Sequence, residues 1–420
     1  MTSSTQKDPI FDLRAISGSI KEKLQPHDAP TKLLEEGTVK FLVLDSSSIY
    51  EAPAFFNPIM VLNRDISILF CEIYKSRVDH KLRIIEPLAG IGIRAIRLIS
   101  ELGDSISEVV INDFDDITSQ IANYNINSLG LQDKVIQFKR EARSLLAELA
   151  ENSCKFHYLD LDPFGPPTPF LDSLWQVMTL SAIVSITATD MTALCGVYPK
   201  ACLRKYGALP LNNFHTHETA ARILIATSVF SAARQGIGAF PIFTLSADHY
   251  AKVFFETRKS RGEANKATDQ IGYSYTCKEC MQIFYISGLI NEGPVCCGEL
   301  DKAGPLWTGN IFNKEWCSQA YQVLEATINA EAGTKRYPSA NRLLKMIREG
   351  IDATDLHGYY AIDFISSKLR VKQPKFKVFK EEMQKSGYRA IQTRFRKQSF
   401  RTDAPVQMIN EIFQRVAEDE

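Results

Sequence analysis

No stretch of the chain approaches the ~20 consecutive apolar residues that a membrane helix needs, so no membrane span is expected. The opening residues MTSSTQKDPIFDL lack the charged-then-apolar pattern of a secretory leader. Net charge is missing too: 49 Lys and Arg meet 49 Asp and Glu, which excludes a protein basic throughout but permits a local basic surface. Nine cysteines, an odd number, do not make the framework of a small disulfide-stapled domain. Internal repeats and long low-complexity segments are absent. So is a complete GxGxxG fingerprint, and a dinucleotide pyrophosphate is therefore not the expected ligand. What these absences leave is a cytoplasmic protein with no obligate protein partner evident. Its 420 residues, of ordinary composition, suggest two or three domains.

What the sequence does contain is a series of strands ending in acids. Leu82–Ile85 reads as a strand running into Glu86-Pro87-Leu88-Ala89-Gly90-Ile91-Gly92, with a helix from about Ile93 to Leu102. Gly90 and Gly92 let the backbone approach a ligand, and an acid at the strand end suits the amino-acid part of S-adenosylmethionine. Val109–Asp113 is the next strand; Asp113 stands where nucleoside-binding α/β folds hold ribose hydroxyls, although a plain surface Asp also fits. A helix over Asp116–Leu129 ends at Gly130, and a third strand, Val135–Lys139, leads to Glu141 and Ala142, where an adenine would be held. Phe156–Leu159 is the fourth strand. Four strands with helices between them predict a doubly wound parallel sheet. Arg64 falls near the start of a helix expected over Ile66–Lys75, where the helix dipole favours anions; a functional anion contact and an ordinary surface arginine both account for it.

The chain is organised around FHYLDLDPFGPPTPF, residues 156–170. Asp160 and Asp162 fall at the strand's C-terminal end, where open α/β sheets place ligands, and the prolines then stop the strand. Asp162-Pro163-Phe164 resembles the [Asp/Asn/Ser]-Pro-Pro-[Tyr/Phe/Trp] loop of methyltransferases acting on exocyclic amines. An amine conjugated to a base ring is a poor nucleophile. Two acceptors, the Asp162 carboxylate and the carbonyl preceding Pro163, would take its N–H bonds and turn its lone pair toward an electrophile. Phe164 would stack on the base, a contact worth roughly 1–3 kcal/mol. The plainer reading is a proline-rich turn with Asp162 capping the next helix.

Further along, Ala182–Thr187 reads as a strand. Ile242–Leu245 and Lys252–Thr257 read as a closing antiparallel pair turning at Asp248-His249-Tyr250, and the polar segment Arg258–Gln270 as a linker. Cys277 and Cys280 have zinc-knuckle spacing, and 15 residues separate them from Cys296 and Cys297. Adjacent cysteines in extended backbone diverge, so Cys317 is an alternative fourth ligand and free buried thiols the plain alternative. From Lys368 to Arg401 twelve Lys and Arg face two Glu. Helices over Tyr337–Arg348, Ala361–Arg370 and Lys375–Lys385, then a basic hairpin over Tyr388–Phe400, suit a winged-helix-like fold. With Phe376, Tyr388, Phe395 and Phe400 interleaved, the segment suits nucleic-acid contact.

Together the motifs FFNPIMVLNRD, PLAGIGIRAIR, the IND turn, DLDPFGPPTPFLDS, SITATD, CGVYPKACLRKYG, AGPLWTG and GYRAIQTRFRKQSFRTDAP resemble the tRNA (guanine-26-N2)-dimethyltransferase family from Phe55 to Pro405. The resemblance implies a Rossmann-like class I methyltransferase sheet within residues 1–268. A smaller α+β RNA-binding domain over 269–420 would carry the cysteine cluster at 273–300. It further implies S-adenosylmethionine as cofactor, tRNA as partner, and methylation of the guanine 26 amine once or twice. Arg64, Arg94, Asp113, Glu141 and Ala142 would contact the cofactor, the two arginines through its carboxylate; Asp162, Pro163 and Phe164 would be catalytic. Glu86 stands where the family usually has Asp, Pro166 where Ser is frequent, and Pro294 where the first Cys of a second C-x-x-C belongs. Two other readings are compatible with the loop: an amino-methyltransferase acting on another nucleic acid or protein Gln, and a non-catalytic tRNA-binding factor.

Overall fold

The computed structural model describes Leu13 and residues 31–45, 56–290, 292–330 and 333–419; Phe55 lies outside these, as does most of residues 1 to about 35, where mixed polar and apolar positions broken by Pro26 and Pro30 predict a partly ordered lead-in. The last of that lead-in is a strand, β1 (Thr31–Glu36), paired antiparallel with β2 (Val39–Leu44). Next come β3 (Leu82–Glu86), β4 (Ile106–Asn112), β5 (Val135–Phe138), β6 (Phe156–Leu161), β7 (Met178–Ala188), β8 (Ile237–Ala247) and β9 (Tyr250–Lys259). These seven form one sheet in the order β5-β4-β3-β6-β7-β9-β8. β3 to β7 are parallel, and β9 runs antiparallel between β7 and β8. The expected doubly wound sheet is thus present, and its closing hairpin turns at Asp248-His249.

β3 and β6 are neighbours, but the chain leaves them in opposite directions across the sheet. The crevice beyond their carboxyl ends is where such folds bind ligands. β6 is buried at every position but His157, as a central parallel strand covered on both faces should be. The helix Ile93–Leu102 begins after Gly92, whose left-handed φ of 77° suits glycine; an added Cβ there would lie 3.3 Å from Ile111.

Arg258–Gln270 is no linker: Arg261–Thr268 is a helix packed against β8 and the helix Thr216–Arg234. It buries only Ala264 and Ala267. Close packing on Gly238, where a Cβ would meet Glu263 backbone at 2.6 Å, needs small contacts rather than a hydrophobic stripe. Beyond it, β10 (Ile271–Cys277) lies between β11 (Ile283–Ser287) and β12 (Leu300–Trp307). The main hydrophobic core continues from the large sheet through Leu306, Trp316 and Leu343 as far as Phe395.

A second core, around Phe379, Met383, Phe400 and Phe413, belongs to the C-terminal end. There the helices Ala340–Asp352, Ile362–Leu369 and Phe376–Lys385 accompany β13 (Tyr360–Ala361), β14 (Ile391–Gln392) and β15 (Ser399–Arg401), in the order β13-β15-β14. This is the expected winged-helix-like arrangement, closed by the helix Val406–Asp419.

Candidate active site

Four elements deliver charged and polar side chains to the crevice. Asp160 lies at the end of β6 and Asp162 just beyond it; Arg94 comes from the helix Ile93–Leu102, Asn63 from the helix Val61–Ser76, and Lys252 from β9. Arg94 donates from Nη1 to Asp160 Oδ1 at 2.9 Å, and from Nη2 to Asp162 Oδ2 at 2.6 Å and Asn63 Oδ1 at 2.8 Å. Lys252 Nζ reaches both Asp160 oxygens at 3.0 and 3.1 Å and Asn63 Oδ1 at 3.0 Å. The Ser67 hydroxyl adds a 2.7 Å bond to Asp160 Oδ2.

Burial raises the Asp160 carboxyl, but Arg94 and Lys252 outweigh it and hold it below its ordinary value. Burial lowers the Lys252 ammonium, with Asp160 opposing. Asp160 and Lys252 are sealed from solvent, whereas the Asp162 side chain keeps 16% exposure. Asp162 is thus the one carboxylate of the group that is both oriented and reachable. It does not cap the next helix, which begins after Pro167 without a side-chain cap.

Glu86, at the end of β3, is the anomaly. It is buried, neither carboxylate oxygen has a hydrogen-bond partner among the described residues, and the nearest cation among them, Arg94 Nη1, is 3.9 Å away. Burial pushes its carboxyl up to about 8; the Asp160 and Asp162 charges add to this, and Arg94 and Lys252 offset it only in part. An orphaned buried carboxyl beside a glycine turn fits the ammonium of an amino-acid ligand.

Asp113 follows β4 and accepts the Gly90 N–H at 3.0 Å and the Asp115 N–H at 3.0 Å, tying the glycine turn to its neighbour strand; burial raises its carboxyl. Phe114 beside it is 73% exposed. Glu141 caps the helix Ala142–Glu151 through the Ser144 N–H at 2.9 Å and takes Arg143 Nε at 2.8 Å. Desolvation raises its carboxyl, but the hydrogen bonds from Arg143 and Ser144 together outweigh it and hold the group at about 2. Ala142 is buried beneath it.

Arg64 is engaged elsewhere. Its guanidinium makes two bonds to Glu36 of β1, at 2.7 and 2.5 Å, and two to the Asn57 carbonyl. The anion that answers an arginine in this helix's first turn is therefore, in this structure, a protein carboxylate, and Arg97 shares it at 2.9 Å.

Pro163 is buried and Phe164 is 71% exposed beside it. The loop is pinned by Thr189, whose Oγ1 accepts the Gly165 N–H at 2.6 Å and whose N–H donates to the Gly165 carbonyl at 3.1 Å. Among these residues, Lys252, Asn63, Thr189 and Glu36 were not singled out from the sequence. Lys252 alone carried a signal: a lysine within the apolar run of YAKVFFET has to find a carboxylate.

The four cysteines meet. The sulfurs of Cys277, Cys280, Cys296 and Cys297 lie within 4.8 Å of one another, with Cys277–Cys297 at 3.7 Å and Cys280–Cys296 at 3.5 Å. Cys296 and Cys297 occupy irregular backbone, so the divergence expected of an extended pair does not arise. Gly298 lets the two turns close, since a Cβ there would lie 2.3 Å from Glu279 Cγ. Cys317 is buried against Gly350 instead. Four convergent thiols suit a tetrahedral zinc.

The basic C-terminal segment is less free than its composition suggests. Arg401 is buried between Glu218 and Glu349, Arg389 pairs with Asp355 and Asp403, and Arg396 with Asp363. Phe395 and Phe400 are core residues, and Phe376 and Tyr388 pack against the second core, so the interleaved aromatics do not form a stacking surface. Lys368, Arg370, Lys372, Lys375, Lys377, Lys385, Arg394 and Lys397 remain exposed.

Comparison with known proteins places the chain among tRNA-modifying enzymes. Residues 37–414 match the family model described as N2,N2-dimethylguanosine tRNA methyltransferase. A tRNA (guanine(26)-N(2))-dimethyltransferase of Methanobrevibacter smithii is 32% identical over 92% of this chain and 98% of its own. A tRNA (guanine(26)-N(2)/guanine(27)-N(2))-dimethyltransferase of Aquifex aeolicus is 31% identical over 89% and 93%. The solved structure of Trm1 from Pyrococcus horikoshii with S-adenosyl-L-methionine matches with a TM-score of 0.79 at 26% identity, covering 91% of this chain and 99% of that one.

Proposed function

Because the chain belongs to the N2,N2-dimethylguanosine tRNA methyltransferase family, we propose that it transfers one or two methyl groups from S-adenosylmethionine to the exocyclic N2 amine of guanine 26 in tRNA. The observation that carries this reading is Asp162, an oriented but reachable carboxylate followed by a buried proline and an exposed phenylalanine.

S-adenosylmethionine supplies an electrophilic methyl group on a sulfonium. Glu86 fits its ammonium, being, among the described residues, the one buried acid in the crevice with no bonded partner. Arg94 and Arg64 supply guanidinium groups for its carboxylate, in competition with Asp162 and Asp160 for the first and Glu36 for the second. Asp113, Glu141 and Ala142 line the nucleoside end. The Asp162 carboxylate and the carbonyl ahead of Pro163 accept the amine hydrogens, and the carboxylate takes the proton the amine loses. Phe164 stacks on the extruded base. Positioning supplies most of the acceleration, because the sulfonium is already activated.

Residues 1–268 serve as the methyltransferase domain and 269–420 as the tRNA-gripping domain, supported by the eight exposed cations from Lys368 to Lys397. Cys277, Cys280, Cys296 and Cys297 hold a structural zinc, at a place where Cys280 and Ile283 pack against the C-terminal core. The protein works in the cytoplasm, where tRNA is available; no described helix is long and apolar enough to cross a membrane.

The deciding experiment incubates the protein with labelled S-adenosylmethionine and an unmodified tRNA transcript and maps the labelled nucleotide. Label on the guanine 26 amine is expected. Cofactor bound with no label on any tRNA would overturn the reading.

A further inference from the structure

The segment CGVYPKACLRKYG, residues 195–207, has no part in the site described above, yet it is tied to it. The tie runs through the two residues that follow β7. Thr189 clamps Gly165 of the catalytic loop, and Asp190 accepts bonds from Tyr206 Oη and, at 3.0 Å, Lys205 Nζ. The helix Pro199–Tyr206 buries Cys202 and Tyr206 and turns its other face outward.

That outer face is unusual. Val197 (53% exposed) and Tyr198 (62%) lead into the helix, Leu203 (50%) lies on it and Leu209 (50%) follows it, large apolar and aromatic side chains too open to belong to a core. Lys200 and Arg204, one turn apart on the same face, are exposed and have no ion pair among the described residues. The backbone beneath is fixed. Gly196 adopts a φ of 81° against Leu211 and Asn212, Thr216 Oγ1 donates to the Cys195 and Leu211 carbonyls, and Leu209 exchanges 2.9 Å bonds with Gly304 of β12. A rigid support carrying an exposed ring at the start of a helix, followed by two unpaired cations on that helix, offers what single-stranded nucleic acid requires: a stacking platform with phosphate contacts beside it. A protein partner would account for the apolar groups but not for two unpaired cations beside them.

We infer that residues 196–209 form the substrate-side lip of the active site, Tyr198 stacking on a nucleotide that flanks the extruded guanine while Lys200 and Arg204 hold the adjoining phosphates. This rests on the tRNA reading above and adds to it a contact made by the methyltransferase domain itself. The lip would hold the strand open beside the catalytic loop, while the C-terminal domain grips the body of the tRNA.

Three variants test it in the full-length protein: Tyr198→Ala, Tyr198→Phe and the double variant Lys200→Ala/Arg204→Ala. All three positions are exposed, so melting temperature and S-adenosylmethionine affinity should match the wild type. Tyr198→Ala should lose at least about fivefold in kcat/KM for tRNA, and Tyr198→Phe should keep it. The double variant should lower the slope of log affinity against log salt by about 1.4, the value for two phosphates of a single strand. Wild-type kcat/KM in Tyr198→Ala, or an unchanged salt slope in the double variant, would overturn the lip while leaving the tRNA reading intact. A wild-type protein that binds S-adenosylmethionine but labels no tRNA would overturn that reading and the lip with it.

Discussion

Two glutamates, both sealed from solvent and both near arginines, end in opposite states. Glu218 takes Arg222 Nε at 2.8 Å, Arg401 Nη1 at 2.7 Å and the Gly358 N–H at 2.9 Å, joining the helix Thr216–Arg234 to β15 and the loop before β13. Burial raises its carboxyl, but Arg401 and Arg222 more than offset that and bring it to about 2. Glu86, in the crevice, has no bonded partner among the described residues and only a shared arginine at 3.9 Å; burial prevails and its carboxyl stands at about 8. One carboxylate is consumed in holding the fold together. The other is left short of a cation, and that deficit marks where a ligand is expected.

The contrast can be broken at either end. Removing Arg401 strands Glu218 and Glu349 in the core. Arg401→Ala should therefore cost about 3–5 kcal/mol of stability in chemical denaturation, and a loss near zero would deny the network its structural role. At the open site, Asp162→Ala should keep tRNA binding and lose at least ~100-fold in single-turnover rate, about 2.7 kcal/mol; normal turnover would remove Asp162 from the chemistry. Glu86→Gln should weaken S-adenosylmethionine by about tenfold in calorimetry, from the loss of a charged hydrogen bond.

The same variant should raise the melting temperature of the cofactor-free protein. A folded carboxyl at about 8 takes up a proton that the unfolded chain, at about 4.5, does not. Stability from this residue accordingly falls as pH rises through that window, and the amide has no such loss. Glu218 has the reverse sign: its contribution is present above about 4.5 and disappears as pH falls toward 2. The smallest effect sharpens the comparison most. Cofactor binding should release a proton from Glu86, giving an affinity gain of about fivefold between pH 7 and pH 8 that Glu86→Gln abolishes. Arg94, Asp160, Asp162 and Lys252 all face Glu86, so a change in any of them should move that window.

Much of the sheet was legible in the sequence because its strands are apolar runs that end in acids, and the catalytic loop because prolines punctuate it. Residues that act across long separations were not legible. Lys252 meets Asp160 from 92 positions away, and Arg64 meets Glu36 through a hairpin strand whose exposed TKLLEE pattern carries little hydrophobic signal. The polar helix Arg261–Thr268 read as a linker because two alanines suffice for its packing. The C-terminal aromatics show the opposite error. Interleaved with cations in sequence, Phe395 and Phe400 face the core, and Arg401 beside Phe400 is buried with it.

The position of β9 bears on how the protein is made. Because β9 lies between β7 and β8, the sheet cannot close in the order of synthesis: β8 waits on the ribosome until the chain has doubled back through the hairpin. Lys252 emerges 92 residues after Asp160, a delay of about 5–20 s at ordinary elongation rates. During that interval a nascent chain carries Asp160 and Arg94 without their second cation. Until translation passes Lys259, the incomplete sheet offers β7 as an open edge, a natural site for a chaperone to occupy.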